Sequence, residues 1–134
     1  MGVRRKAREM ALAAVFEHEF SGLALPVITK RVLAEELPSD DVTVFYHDLV
    51  KAVAAHQDEI DALIVKFSNN WKLVRMAGVD RNVLRLGVAE ILFLPEIPKS
   101  VTINEYLEVA KKFGSEDSSS FVNGILDKLD KPNA

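Results

Sequence analysis

Apolar residues recur every three or four positions along almost the whole chain, and no stretch alternates with the two-residue period of a strand. The pattern therefore predicts an all-α protein. The chain has 134 residues, which is enough for one domain with a hydrophobic core and too few for two ordinary domains. We expect residues 1–134 to form a single domain.

Glycines, prolines and polar pairs divide the periodic pattern into about seven helices. The predicted helical segments are residues 3–20, 26–37, 41–67, 79–94, 101–113 and 116–129. The segment 41–67 is long enough for two helices joined at His56-Gln57-Asp58-Glu59, and a continuous helix with this polar cluster exposed is the alternative. Gly22 and Gly114 follow helix ends, and Ser39 and Ser115 precede helix starts as caps.

Three further sites receive structural predictions: Trp71, Gly87 and the pair Asn123-Gly124. Trp71 is expected to anchor the connector 71–78 in the core, because a lone Trp is usually buried. Gly87 is expected to allow the close approach of a neighbouring helix. Asn123-Gly124 costs a helix about 1 kcal/mol relative to good helix formers. This cost indicates either tight helix packing, which we favour, or the close approach of another molecule.

The first helix joins the densest positive charge of the chain to its most apolar run. Residues 10–16 are all Ala, Leu, Met, Val or Phe, which predicts a central helix surrounded by other helices. Four cations lie within five residues at its start: Arg4, Arg5, Lys6 and Arg8. The helix macrodipole disfavours cations there, so something outside the helix should compensate them. A phosphate backbone would do so, and a solvated, frayed helix end is the alternative.

The overall charge restricts the kind of anionic target. The chain has 17 Lys and Arg against 20 Asp and Glu, a net charge of −3. Outside the four N-terminal cations the balance is 13 to 20, or −7. A basic patch on an acidic body favours a small, defined anionic target over non-specific coating of nucleic acid. There is no cysteine, and no segment fits a membrane span or a signal peptide, so we expect a cytoplasmic protein.

The sequence carries no recognisable catalytic or metal-binding pattern. His18, His47 and His56 stand at no metal-ligand spacing. The run Ser118-Ser119-Ser120 has no base beside it, and no glycine-rich phosphate loop is present. We therefore predict a protein that is not an enzyme and that needs neither a metal nor another cofactor.

Five segments, taken together in their order and spacing, are specific for one family. They are Arg4-Arg5-Lys6-Ala7-Arg8-Glu9, Val79-Asp80-Arg81-Asn82-Val83-Leu84-Arg85-Leu86-Gly87, Ile103-Asn104-Glu105, Ala110-Lys111-Lys112-Phe113-Gly114 and Phe121-Val122-Asn123-Gly124-Ile125-Leu126. With these segments the chain closely resembles the NusB family of bacterial transcription antitermination factors. The resemblance covers nearly the whole chain and implies an all-α fold of two packed three-helix subdomains.

The resemblance also implies a function and partners. NusB-like proteins bind the single-stranded boxA element of nascent RNA together with the ribosomal protein NusE. They help the transcription elongation complex to read through terminators in ribosomal RNA operons. The implied partners of this chain are therefore boxA RNA, NusE and the elongation complex, with no membrane.

Site residues follow from the resemblance position by position. The RNA-binding residues of the family fall on Arg4, Arg5, Lys6, Arg8, Lys112, Asp117, Ser118 and Phe121. Phe121 could stack on an unpaired base, although its place in the apolar stripe favours core packing. The surface that resembles the NusE-binding face includes Phe16 and Asp80. Many relatives carry Tyr at the position of Phe16, so this chain lacks a hydroxyl there.

Two other hypotheses belong to different classes. The chain could be a self-associating helical module that binds only protein, since some relatives are homodimers that could hide the RNA surface. It could also be related to the helical RNA-recruiting domain attached to certain ribosomal RNA methyltransferases. The absence of a following catalytic domain counts against this last hypothesis.

Overall fold

The structure, a computed structural model, describes residues 2–132 and consists of six α-helices with one short 3-10 helix. The α-helices are α1 (Val3–Ser21), α2 (Leu25–Glu36), α3 (Asp40–Phe67), α4 (Gly78–Phe93), α5 (Lys99–Phe113) and α6 (Ser118–Leu126). The 3-10 helix Leu73–Arg75 lies between α3 and α4. No strand occurs among residues 2–132, and the predicted all-α class is confirmed.

The residues that punctuate the sequence end and begin the helices as predicted. Gly22 follows α1 in the left-handed conformation (φ 76°), and its N–H donates to a carbonyl in the last turn of the helix. Pro26 lies in the first turn of α2, where its missing N–H costs no helical hydrogen bond. Ser39 caps α3, since its Oγ accepts a hydrogen bond from the N–H of Val42 at 3.3 Å. Short-range chemistry therefore sets these three boundaries.

Helix α3 combines the two alternatives predicted for its region. It extends over 28 residues, but the backbone of His56 leaves the helical conformation (φ −128°, ψ 22°). The imidazole ring of His56 stacks on the ring of Phe93 with 3.8 Å between the centroids. The break thus lies at the first residue of the predicted joint, and the ring at the break packs against the end of α4.

The helices pack as two groups of three around one continuous hydrophobic core. Helices α1, α2 and α3 form one group and α4, α5 and α6 the other, while α4 also contacts α1 and α3. Every residue from 82 to 91 of α4 is buried. The prediction that the first helix is the central one is therefore wrong, since α1 exposes Ala13 and Phe16. The periodicity of α4 hid its position because Asn82, Arg85 and Glu90 interrupt the apolar pattern, yet all three are buried and hydrogen-bonded.

The connector between α3 and α4 lies on the surface and exposes its tryptophan. Trp71 is 54% exposed, so the prediction that it anchors the core is wrong. Its ring meets the ring of Phe121 edge to face, with 6.4 Å between the centroids. Asn69 and Asn70 take the left-handed conformation (φ 58° and 64°) and turn the chain sharply just before it. A connecting segment that runs over the surface leaves even a large ring partly solvated.

Gly87 and Gly124 both lie inside helices and have the same low helix propensity, but their surroundings differ. A Cβ at Gly87 would lie 2.8 Å from Cδ1 of Leu126, so α4 and α6 do approach closely there. A Cβ at Gly124 would have no heavy atom of a neighbouring element within 4 Å. The packing interpretation of Gly124 is therefore wrong, and its helix cost has no explanation inside the described fold.

We expect Gly87→Ala to destabilise the protein and Gly124→Ala to stabilise it. The new methyl group at position 87 meets a fully buried Leu126, and overpacking of this kind costs about 1–3 kcal/mol. At position 124 the substitution should add about 1 kcal/mol through helix propensity alone. Urea unfolding of the two variants beside the parent measures both changes. Equal stabilisation by both substitutions would mean that the Leu126 side chain moves aside without a cost in free energy, and would contradict this prediction.

Candidate nucleic-acid and partner interface

The cations of the first turn point to different neighbours around α1. The guanidinium of Arg4 lies over the ring of Phe45 on α3, 5.4 Å from its centroid. Arg5 forms an ion pair with Glu105 on α5. Lys6 Nζ donates to a carboxylate at the end of α2 at 2.7 Å. The predicted basic cluster is therefore spread over several sides of the helix and does not form one patch.

The chain's own carboxylates provide the compensation that the sequence led us to expect from a partner. The hydrogen bond and the negative charge of Glu105 raise the pKa of Arg5 above its ordinary value. Arg4 has no carboxylate within ion-pair distance among residues 2–132, although Asp41 and Asp48 line the same depression. A phosphate would have to compete with a carboxylate at Arg5 and Lys6, but not at Arg4.

Arg8 lies in the core and is not available to RNA. Its side chain is 1% exposed, and it forms two hydrogen bonds with Glu90 on α4, Nε to Oε1 at 2.9 Å and Nη2 to Oε2 at 2.7 Å. The hydroxyl of Thr102 on α5 donates to Oε2 of the same carboxylate at 2.6 Å. The assignment of Arg8 to the RNA surface is thus corrected, because this pair joins the two groups of helices.

Aromatic rings close over the Arg8–Glu90 pair. The rings of Phe45 and Tyr106 lie 5.3 Å and 5.7 Å from the Arg8 guanidinium. Burial alone would lower the pKa of Arg8, but the hydrogen bonds and charge of Glu90 outweigh it and raise the pKa. Burial and the nearby Glu90 charge raise the pKa of Tyr106 well above its ordinary value. Both raised pKa values keep Arg8 charged and Tyr106 neutral across the physiological pH range.

The helical spacing of α1 contains the signal that places Arg8 inside. Ala11, Leu12 and Val15 follow Arg8 by three, four and seven positions, and all of them are buried. These intervals define one face of a helix, so Arg8 belongs to the buried stripe. Charge alone groups Arg8 with Arg4, Arg5 and Lys6, whereas the helical periodicity separates it from them.

Arg5 and Lys112 come together on the face that α1 shares with α5. Lys112 Nζ donates to Glu9 on α1, at 2.9 Å to Oε1 and 3.2 Å to Oε2. The Arg5–Glu105 pair crosses between the same two helices. We call this surface the α1–α5 basic face after its two cations, Arg5 and Lys112, which are paired with Glu105 and Glu9. The tertiary structure thus pairs residues that are 100 and 103 positions apart.

Ser118 is buried in the turn between α5 and α6. Its Oγ accepts a hydrogen bond from the N–H of Ser115 at 2.9 Å, and its side chain lies directly against Gly114. The expected cap is therefore reversed, since Ser118 holds Ser115 rather than Ser115 capping the helix. The assignment of Ser118 to the RNA surface is corrected, because its hydroxyl closes the turn and faces away from solvent.

Asp117 and Phe121 line an open depression between the connector and α6. Its volume is about 510 Å³. We call this depression the connector pocket and define it by six of its residues: Trp71, Asp80, Asp117, Phe121, Gly124 and Lys128. Three of the predicted site residues, Asp80, Asp117 and Phe121, thus share one cavity although they come from different helices or turns.

Asp80 carries an unsatisfied carboxylate oxygen. The residue is 9% exposed, and its Oδ1 has no hydrogen-bond partner among the described residues. It lies in the first turn of α4, where the helix macrodipole favours a negative charge. A buried acceptor without a donor is costly, so Asp80 is suited to accept a hydrogen bond from a bound molecule.

Phe16 lines a second depression, on the other side of the start of α4. Its side chain is 38% exposed, and a Cβ at Gly78 would lie 2.8 Å from its Cε2 atom. The depression has a volume of about 440 Å³. We call it the phenylalanine groove, and its apolar lining includes Leu12, Phe16, Phe20, Val79 and Phe113. The two residues of the predicted partner face, Phe16 and Asp80, therefore lie in neighbouring but separate depressions.

Residues 2–132 contain neither a metal-binding cluster nor a membrane-spanning helix. No group of three or more His, Asp and Glu side chains in this range could hold a metal ion. No helix in the same range is sufficiently long and apolar to cross a membrane.

Comparisons with known proteins extend over nearly the whole chain. A curated relative from Geobacter sulfurreducens, named transcription antitermination protein NusB, is 47% identical over 131 residues, with 96% of this chain and 94% of the relative covered. The structure of T. maritima NusB is 39% identical, with a TM-score of 0.87 over 93% of this chain and 88% of that chain.

A structure of antitermination factors NusB and NusE in complex with dsRNA contains a chain that is 30% identical to this one. The TM-score is 0.87, and 95% of each chain is covered. The profile of the NusB family matches residues 5–131. These matches follow the helices described above from α1 to the turn after α6, and the chain belongs to the NusB family.

Proposed function

We propose that this chain is a transcription antitermination factor that binds boxA RNA together with the ribosomal protein NusE and promotes read-through in ribosomal RNA operons. The observation that supports this function is its match, over nearly the whole chain, to a NusB whose structure includes NusE and RNA. The chain acts by binding, as a single RNA-binding domain, and not as an enzyme. Its place of action is the cytoplasm, in the transcription elongation complex.

The RNA runs, in this proposal, from the α1–α5 basic face toward the connector pocket. Arg5 and Lys112 supply phosphate contacts on that face, and Arg4 and Lys6 flank it. Asp117 and Phe121 follow at the start of α6. Arg8 and Ser118 contribute through the fold alone, because both side chains are buried and hydrogen-bonded.

The phenylalanine groove is the proposed site for NusE. An exposed apolar depression with aromatic side chains is the usual centre of a protein interface. Glu9 and Glu17 also line this groove, but each is paired with a cation of the chain itself, Lys112 and Arg31, so the apolar side chains carry the proposed contact. Asp80 lies next to Val79 of the groove and lines the connector pocket, and it is proposed to accept a hydrogen bond from the same partner.

A binding titration tests the function directly. Fluorescence anisotropy of labelled boxA RNA is measured with the purified chain, in the presence and absence of NusE. We expect tighter binding when NusE is present and a clear preference over a scrambled strand of equal length. A double-stranded boxA control distinguishes recognition of unpaired bases from recognition of a duplex. Equal affinity for boxA and scrambled RNA, with and without NusE, would contradict the proposal.

We expect Phe16→Ala to weaken NusE binding by about 2 kcal/mol or more, which is about 30-fold, because aromatic anchors dominate interface energies. Isothermal titration calorimetry with NusE measures the change. The affinity of the free chain for boxA RNA should stay at the parent's value, since Phe16 lines the groove and not the basic face.

Two variants and one further measurement complete this experiment. Val27→Ala removes another exposed apolar side chain outside the groove and should leave NusE binding unchanged. Phe16→Tyr restores the hydroxyl common among relatives and should bind NusE at least as tightly as the parent. Light scattering of the parent tests self-association. A dimer that Phe16→Ala dissociates would assign the groove to a second copy of this chain instead.

A further inference from the structure

The connector pocket combines features that its helices do not need for packing. Its volume of about 510 Å³ lies within the range of about 300–1,000 Å³ that is usual for small-molecule sites. It is formed where the connector between α3 and α4 meets α6. The pocket is open to solvent, whereas the residues beneath it belong to the continuous hydrophobic core.

An exposed tryptophan forms one wall of this pocket. Trp71 is the single Trp of the chain, and about half of its surface is exposed. The ring of Phe121 meets it edge to face inside the same pocket. A large aromatic surface that remains in water at a cavity wall is available for stacking with a flat ligand.

Gly124 forms another part of the pocket lining and leaves space there. It lies in the interior of α6, lines the pocket, and has no atom of another element near the position of a Cβ. A glycine there costs the helix about 1 kcal/mol without any packing gain. A bound group that approaches the helix backbone closely would explain why the position has no side chain.

Polar groups around the pocket match a nucleotide. Arg75 and Lys128 supply positive charge, and Lys128 Nζ is held by the carbonyl of Phe67 at 3.0 Å. Asp117, at the start of α6, contributes an exposed carboxylate. Cations suit the phosphate of a nucleotide, while a carboxylate accepts from the N–H groups on the edge of a base.

We propose that the connector pocket takes one unpaired base of the bound RNA strand, stacked on Trp71, with Gly124 leaving room for it. This inference rests on the proposed function and adds to it a base-binding residue outside the resemblance, Trp71. Two proposed RNA residues, Asp117 and Phe121, line the same pocket. An RNA strand that contacts them would therefore pass the opening of the pocket. Aromatic stacking combined with nearby cations is the general way in which proteins hold single-stranded nucleic acid.

A double-mutant cycle between protein and RNA tests the proposal. Each nucleotide of a boxA oligonucleotide is replaced in turn by an abasic site, and binding is measured with the parent and with Trp71→Ala. At one position the abasic site should weaken binding to the parent by about tenfold, the usual size of one stacking contact. With Trp71→Ala the same abasic site should change binding less than about twofold, because the partner of that base is already absent.

Intrinsic fluorescence gives an independent readout, because Trp71 is the only tryptophan. Saturating boxA RNA should quench its emission, and the oligonucleotide that is abasic at the coupled position should quench it much less. Val74→Ala, an exposed neighbour that does not line the pocket, is the matched control and should behave like the parent.

Gly124→Ala and Gly124→Leu complete the series. The alanine variant should be more stable than the parent yet bind boxA more weakly. The leucine variant should fill the pocket and abolish coupling to the abasic position. Weaker binding by a more stable protein is not a folding defect.

The outcomes separate this proposal from the function on which it rests. Tight boxA binding in which no position couples to Trp71 would overturn the base pocket and leave the antitermination function intact. If Trp71→Ala weakens NusE binding without RNA and leaves boxA binding unchanged, the pocket holds a protein side chain and the proposal is wrong. Failure of the parent to prefer boxA over scrambled RNA would remove the proposed function itself.

Discussion

Replacing Arg8 with alanine should lower the free energy of unfolding by about 3–5 kcal/mol, because it leaves the buried carboxylate of Glu90 without its partner. Glu90→Ala should cost a similar amount, since it leaves the guanidinium unpaired. Urea unfolding monitored by circular dichroism measures both losses. Typical domains have only about 5–15 kcal/mol of stability, so either variant will be close to unfolding.

A paired substitution and a surface control show whether burial is the cause. The double variant Arg8→Met, Glu90→Leu replaces the ion pair with apolar side chains of similar length and should regain most of the lost stability. Lys6→Ala removes a half-buried cation from an ion pair at the helix surface and should change stability by about 1 kcal/mol or less. A loss for Arg8→Ala no larger than that for Lys6→Ala would contradict the structural role.

The same double variant also tests whether Arg8 contacts RNA. The folded double variant, which carries neither charge in its core, should bind boxA RNA with the parent's affinity and the parent's salt dependence. A large loss of affinity in this stable variant would return Arg8 to the RNA surface.

Removing Arg5 and Lys112 together should weaken boxA binding and flatten its dependence on salt. Each phosphate contact with a single strand contributes about −0.7 to the slope of log affinity against log salt, so two lost contacts change it by roughly 1.4. Between 50 and 200 mM salt the parent should therefore lose about sevenfold more affinity than Arg5→Ala, Lys112→Ala. Anisotropy titrations over this salt range measure the two slopes.

Arg4→Ala with Lys6→Ala is the matched control, because it also removes two positive charges, both from the start of α1. These side chains point toward α3 and α2, away from the α1–α5 basic face, so we expect less than half of the change in slope. Scrambled RNA should show similar slopes, since phosphate contacts carry no sequence information. Equal slopes for the two double variants would show that the strand does not follow the α1–α5 basic face.

The sequence by itself determined the fold class, most helix boundaries and the family. Helical periodicity depends on the chain alone, and caps such as Gly22 and Ser39 act over a few residues, so both are visible without a structure. The break at His56 was also visible, as a polar cluster in an apolar pattern. The NusB motifs needed only their order and spacing.

Only the tertiary structure decided which side chains of the motifs remain accessible. Arg4, Arg5, Lys6 and Arg8 are equivalent by charge, but the helix turns them toward different neighbours, and Arg8 meets Glu90 from a segment 82 positions away. Gly87 and Gly124 are equivalent by helix propensity, but only Gly87 faces another helix. Trp71 is apolar, yet the connector that carries it has no second layer to cover it. In each case the deciding energy is a contact between distant segments, which local sequence does not encode.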